Sequence, residues 1–295
     1  MNWLHNFPQM DGTTLLGLKN TIDNSFKELI AAYGDQLDRL IAPLQSALLS
    51  LDNLLTGTSW LIVTGVILLV AWGASRSWKT VLSCLVVLLL VGYFGMWDDT
   101  MRTISMTLVA TVISIIVGIP IGILMSRSML AMRILYPILD MMQTIPSFVY
   151  LIPVVMLLGI GRVPGLIAII IYAIPPVIRL TNLGIRLVDK EICEAADSFG
   201  ASDFQKLFKV QLPLALPTIM AGINQTIMMA LAMDVIAAMI GVQGLGQPVL
   251  KAIANQYLAL GVFNGLAIVG IAIIFDRVSQ AYGRRLQKHE EGQRG

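Results

Sequence analysis

Seven long apolar segments, separated by shorter polar stretches, fill most of the chain after residue 57. They run at about 58–74, 80–97, 103–125, 134–160, 163–180, 214–240 and 258–276. A membrane-spanning helix needs roughly 20 mainly apolar residues. Barrel strands would alternate apolar and polar positions, and these runs do not. The pattern predicts an all-α polytopic membrane protein with about seven transmembrane helices. Residues 15–55 carry a different pattern. Ile22, Phe26, Leu29, Tyr33, Leu37, Leu40, Leu44 and Leu48 recur at three- and four-residue steps, with Lys19, Asp23, Lys27, Glu28, Asp35, Asp38 and Arg39 between them. This spacing predicts an amphipathic helix, broken near Gly34 or Pro43. It lies along a membrane surface, packs on the bundle, or folds as a soluble hairpin; its polar face is mixed in sign, unlike most surface-binding helices.

Composition agrees with the membrane reading. Apolar residues make up 56% of the chain and charged ones 13%, against about 25% charged in soluble domains, and mean hydropathy is +0.78. A net charge of +2 is too small to argue for nucleic acid. Cys84 and Cys193 lack metal-ligand spacing, and His5 and His289 sit near opposite termini, so a metal or catalytic cluster has no material. Met1 to Pro8 has no basic region followed by an apolar core, which argues against a signal peptide.

Lysine and arginine placement orients the spans. With the N-terminus outside, the inner segments hold Arg76, Lys79, Arg127, Arg133, Arg179, Arg186, Lys190, Lys206, Lys209, Arg277, Arg284, Arg285, Lys288 and Arg294. The outer segments hold only Lys19, Lys27, Arg39, Arg102, Arg162 and Lys251. The polar stretch 181–213 and the C-terminus are therefore expected in the cytoplasm. An even number of spans would break this alternation.

The cytoplasmic stretch holds the most informative motif. Glu194, Ala195 and Ala196 are strong helix formers. Gly200, four residues after Ala196, permits a tight reversal. A second short helix then leads through Leu212 to Pro213, which restarts the membrane segment. A helix, a glycine turn and a second helix make a compact knob whose small residues suit a groove on another protein. An ordinary amphipathic loop is the plain alternative, and a bare Glu-Ala-Ala would not exceed it. The full pattern, between two spans and on the positive side, resembles the EAA loop of permease subunits in binding-protein-dependent ABC importers.

Further stretches sharpen the resemblance. Met142-Gln-Thr-Ile-Pro-Ser-Phe-Val-Tyr-Leu151 and the run from Val210 to Thr226 are similar to the corresponding stretches of glycine betaine/proline permeases, with Gly244-Leu-Gly-Gln247 following in place. The likeness covers about residues 98–282. It implies a type I ABC importer transmembrane core at 98–282 with its coupling loop at 190–213. Before the core come an extracytoplasmic amphipathic segment at 1–57 and two additional spans at 58–97; a cytoplasmic tail at 283–295 follows it. The implied activity is uptake of a quaternary amine or related solute (glycine betaine, proline betaine, choline, carnitine or proline) by alternating access. The implied partners are a dimer of ABC ATPase subunits, a second copy of the permease, an extracytoplasmic binding protein and the lipid bilayer. The chain has no GxxxxGK[ST] loop, so ATP is expected on the partner, with no cofactor and no catalysis here.

Pathway residues are less constrained. Thr144, Pro146, Phe148, Tyr150, Asn224 and Asp234 are the candidates. Phe148, Tyr150 and Tyr172 offer cation–π surfaces to a trimethylammonium group, or serve as packing anchors. Asn224, Gln225 and Thr226 line a polar path or bond across helices. Asp140, near the inner end of its span, fits the family pattern or pairs locally. Asp234 departs from it, standing where related betaine permeases are apolar. A mid-membrane carboxylate costs about 2.5–3.5 kcal/mol and marks a functional position by default. It is a counter-charge to a cation in transit, or else a residue that is locally paired, protonated or near the outer surface. The competing class is an ion-gradient-driven secondary transporter, which also has broken helices but no ATPase to dock; an intramembrane enzyme lacks a catalytic constellation.

The topology is directly testable. A reporter fused after Arg285 is expected to read cytoplasmic and one inserted near Gln36 extracytoplasmic; the same side for both would require an even number of spans.

Overall fold

The computed structural model describes the backbone of residues 10–291. The side chains of Leu29, Leu37 and Leu40, of His5 and of the basic tail after Gly283 with His289 lie outside the described residues. Every regular element among the described residues is helical. The chain divides into two compact units at Gln45–Ser46. The first unit contains most of α1 (Gly12–Gly57), whose Leu15, Leu16, Leu18, Ile22 and Tyr33 are exposed. The break expected near Gly34 or Pro43 is absent: α1 runs through both. A proline removes one backbone donor and crowds one carbonyl; the helix-forming Ala31, Ala32, Gln45 and Ala47 around these sites keep the turns formed.

The second unit holds the apolar helices: α2 (Trp60–Ser75), α3 (Trp78–Tyr93), α4 (Trp97–Arg127), α5 (Met129–Thr144), α6 (Leu151–Leu158), α7 (Arg162–Ala173) and α8 (Pro175–Arg186). Then follow α9 (Lys190–Ser198), α10 (Asp203–Lys206), α11 (Leu212–Ala237), α12 (Gly246–Asn255) and α13 (Leu258–Glu291). Four stretches among the described residues are long and apolar enough to cross a membrane: Trp97–Arg127, Arg162–Arg186, Asp203–Ile240 and Leu258–Gly283. Two bent pairs qualify together, Ile41–Gly57 with Trp60–Ser75 and Met129–Thr144 with Ser147–Leu158, and Trp78–Tyr93 is a shorter apolar helix.

The span expected at 134–160 falls in a helix pair, Met129–Thr144 with Ser147–Leu158, that is bent by 111°. Pro146 is the cause. It holds Ile145 extended at φ −66°, ψ 128°, because a residue before proline is pushed out of the helical region; a 3₁₀ turn at Ser147–Tyr150 then starts the second arm. The boundary expected near residue 161 is present. Gly159 and Gly161 adopt φ +76° and +153° between α6 and α7. Pro120 and Pro217, by contrast, lie inside α4 and α11 without ending them.

The core is built where α4, α8 and α11 meet, and small residues set the approach. A Cβ on Gly122 would lie 2.6 Å from the Thr181 Cβ and 2.7 Å from the Ile178 carbonyl oxygen. One on Gly222 of α11 would lie 2.9 Å from the Leu180 Cβ, and one on Gly184 of α8 would lie 3.0 Å from the Thr218 Cβ. Apolar side chains gain little from leaving lipid, so such close backbone packing supplies much of the association. Met125, Ile174, Val177 and Ile178 fill one side of this junction, and Ile185, Leu207, Ala215 and Ile219 the other.

Gly122→Leu is expected to cost about 1–3 kcal/mol through overpacking and to lower the thermal midpoint of the detergent-purified protein. Gly265→Ala, where a Cβ meets nothing within 4 Å, should not lower it.

Candidate functional site

The loop from Asp189 to Pro213 is a built structure. Asp189 caps α9, its carboxylate accepting the Glu191 N–H at 3.0 Å. Glu194 and Ala195 lie exposed on α9, with Ala196 half-buried. The helix ends in a left-handed turn at Gly200, φ +75°. There the Ala201 N–H donates to the Ala196 carbonyl at 3.0 Å and the Gly200 N–H to the Asp197 carbonyl at 2.9 Å. This pair of bonds is a Schellman cap. It gives the four-residue step from Ala196 to Gly200 a physical meaning: glycine stands at the one position that must take positive φ. Ser202 opens α10 with a reciprocal capping box to Gln205. The Lys206 ammonium binds the Asp197 carboxylate at 2.7 and 2.9 Å, tying α10 to α9.

From α10 the chain does not restart at Pro213. A π-helical turn at Leu207–Gln211 carries it into α11, so Asp203–Ile240 is one continuous helical stretch. Pro213 lies ten residues inside this stretch, and the wider π turn directly before it accommodates the ring and the missing N–H without a break. Leu207 is buried among Ile185, Ala215 and Ile219, seating the knob on α8 and α11. Arg127, at the end of α4, donates to the Asp203 carbonyl. Phe199 is 92% exposed and Phe204 67% exposed. The knob thus presents aromatic surface that this chain does not cover.

At the other end of α4 lies a buried charge network. Arg162, just after the Gly159–Gly161 turn, pairs with Asp52 of α1 at 2.9 Å. Ser105 donates to the same carboxylate at 3.3 Å. Asp234 on α11 is 2% exposed, and its Oδ1 has no hydrogen-bond partner. The Thr103 hydroxyl oxygen of α4 accepts the Leu245 N–H at 3.0 Å. Asp52 and Arg162 were not singled out in the sequence; their signal is a lone acid and a lone base flanking apolar runs.

The six pathway candidates fall into three places. Thr144, Pro146, Phe148 and Tyr150 sit together at the bend between α5 and α6. Thr144 and Phe148 are exposed. Tyr150 is engaged, donating to the Met142 carbonyl and meeting Tyr172 edge-on at 5.9 Å. Asn224 lines a separate groove of about 490 Å³ between α11 and α13, with Gln225, Met220 and Met228. Its amide donates to Asp276 at 3.0 Å and its oxygen accepts from Ser279 at 2.6 Å. Asp234, ten residues further along α11, is enclosed within one copy of the chain and does not line the groove. The structure does not bring Asn224 and Asp234 together: ten residues is about 15 Å of helix rise.

With this geometry, comparison with known proteins is informative. Residues 114–288 match the family model described as binding-protein-dependent transport system inner membrane component. The chain belongs to that family, whose members are inner-membrane permease subunits of ABC transporters and work with an ATPase and a substrate-binding protein. It is 45% identical over 271 residues to the glycine betaine/proline betaine transport system permease protein ProW of Escherichia coli, covering 92% of this chain and 76% of that one. It is 43% identical over 277 residues to the glycine betaine/carnitine transport permease protein GbuB of Listeria monocytogenes, covering 94% and 93%. Among solved structures, the inward-facing MetNI methionine ABC transporter is similar in fold at a TM-score of 0.58 and 20% identity, covering 63% of this chain and 93% of that one. The family favours the ATP-driven reading over an ion-gradient carrier.

Proposed function

We propose that this chain is the membrane-spanning subunit of an importer carrying a quaternary amine or related compatible solute, of the glycine betaine type, into the cell. The Schellman-capped knob at 190–213 carries the proposal. It is rigid, joined without a break to α11, and exposes Phe199 and Phe204, as a docking element for a separate ATPase requires. The substrate class follows from the names of relatives matching more than nine-tenths of the chain. Two copies of the permease pair with two ATPase subunits, and an extracytoplasmic binding protein delivers the solute. The permease itself catalyses nothing; the partner hydrolyses ATP.

In this reading Glu194, Ala195, Ala196, Gly200, Leu212 and Pro213 form the coupling element. Movement of the ATPase displaces α9 and α10, and the Leu207 contact passes that displacement to α8 and α11. The two copies rock, opening a path outward to the loaded binding protein and then inward. Residues 1–57 lie outside the cell, 58–97 add two spans to the core at 98–282, and 283–295 form a cytoplasmic tail. Thr144, Pro146 and Phe148 at the α5–α6 bend and Asn224 in the α11 groove border the path. Asp234 serves the fold of the outer end rather than the solute.

Vesicles containing the permease, its ATPase and its binding protein should accumulate glycine betaine only with ATP and binding protein present. Accumulation driven by an ion gradient without ATP would contradict the proposal. Within that assay the turn is testable. A Cβ at Gly200 meets open space, so a substitution acts through the backbone: left-handed geometry costs about 1–2 kcal/mol for ordinary residues and less for Asn. Gly200→Val should lose uptake and ATPase co-purification, and Gly200→Asn should retain more of both. Equal loss in the two variants would place the effect on a side-chain clash in the docking contact instead.

A further inference from the structure

One face of α5 is polar in a way that neither the coupling knob nor the outer charge network explains. Asp140, Gln143 and Thr144 are all exposed on a single copy of the chain. They stand at i, i+3 and i+4, which share one helix face. Arg179 reaches this face from α8. Its guanidinium pairs with the Asp140 carboxylate and lies 5.6 Å from the centre of the Tyr136 ring. Tyr136 is one turn before Asp140, so acid, base and aromatic ring are contiguous. The Arg179 Nε is buried and has no hydrogen-bond partner.

These groups lie at membrane depth. Thr181, two residues after Arg179, meets Gly122 of α4, which is five residues from the Arg127 end of that span. Five residues is about 8 Å of helix. A charged side chain facing lipid at depth is costly, so exposed acids and bases there turn toward a water-filled cavity or a protein partner. Arg179 does not stretch toward the membrane surface; it is only 24% exposed and held against α5. The α5 face is therefore turned to water or to protein rather than to the bilayer.

We propose that Asp140, Arg179 and Tyr136 form a transient site for a zwitterion inside the permease, an inference that rests on the quaternary-amine reading above. The solute's carboxylate takes the Arg179 guanidinium in place of the Asp140 carboxylate. Its trimethylammonium group lies over the Tyr136 ring and beside the Asp140 carboxylate, as cation–π attraction favours. The arrangement suits a solute carrying both charges. Asp140 and Arg179 satisfy each other when nothing is between them, and a zwitterion inserted there replaces both halves of the pair at once. A plain cation satisfies Asp140 alone and leaves a buried-side guanidinium bare, which is costly. The site thus discriminates against choline in transit after the binding protein has released it.

The test uses the complete complex in vesicles, measuring glycine betaine carried per ATP hydrolysed. Arg179→Met and Asp140→Ala should each lower that ratio by about tenfold, the first by losing a charge-assisted hydrogen bond and the second by losing the counter-charge to an ammonium that has no N–H to donate. Hydrolysis stimulated by the loaded binding protein should stay near the parent value, which also reports an intact fold and ATPase contact. Arg179→Lys should restore most of the ratio. Where the parent also carries choline, Arg179→Met should leave choline uptake unchanged or raise it. Transport and hydrolysis falling in parallel, or a ratio unchanged in both variants, would overturn the site while leaving the substrate class standing. A parent complex that hydrolyses ATP but moves no zwitterion would instead overturn the substrate class, and this inference with it.

Discussion

The close approach of α4, α8 and α11 governs the rest of the structure. Inside a bilayer, helices gain little by hiding apolar side chains from lipid, so contact at short range must hold them together. Gly118 and Gly122 on α4, Gly184 on α8 and Gly222 on α11 permit that range. The consequence is mechanical. α8 leads into the knob and α11 leads out of it, and both are locked to α4 and to each other. At the base of the knob Leu207 sits in one packed cluster with Ile185 of α8 and Ala215 and Ile219 of α11.

The two ends of the core are held differently. At the knob end the bonds are local: a Schellman turn, a capping box and the Lys206–Asp197 pair. At the far end the ties are long-range. Arg162 draws in Asp52 from α1, Ser105 of α4 donates to the same carboxylate, and the Thr103 hydroxyl oxygen of α4 takes the Leu245 N–H. Removing one partner from such a buried network leaves an uncompensated charge, so its members act together. Between the two ends lies the α5–α6 bend, which Pro146 creates and the glycines at 159 and 161 close off.

Much of this was legible in the sequence because membrane helices and glycine turns leave strong local signals. The apolar runs located the spans, and the step from Ala196 to Gly200 located the knob, because one backbone position there must be left-handed. What failed depended on context. Proline ends a helix at Pro146, but Pro43, Pro120 and Pro217 are carried within helices, and composition alone does not separate these outcomes. Asp234 was visible as an anomaly, but its near-complete enclosure depends on helix packing that the sequence does not display. The Asp140–Arg179–Tyr136 grouping was likewise hidden, since only the packing of α5 on α8 brings its members together.

The central claim is that the knob moves as one body with α11 and so transmits work to the membrane. It is tested most directly by spin-label distances in the complete complex, with Cys84 and Cys193 replaced and labels placed at Phe199 and Met228. The account predicts one distance distribution within a copy, unchanged by ATP, while the Phe199–Phe199 distance between copies shifts when ATP binds. A Phe199–Met228 distance that itself shifts with ATP would mean that the knob flexes at its base, and would contradict the account.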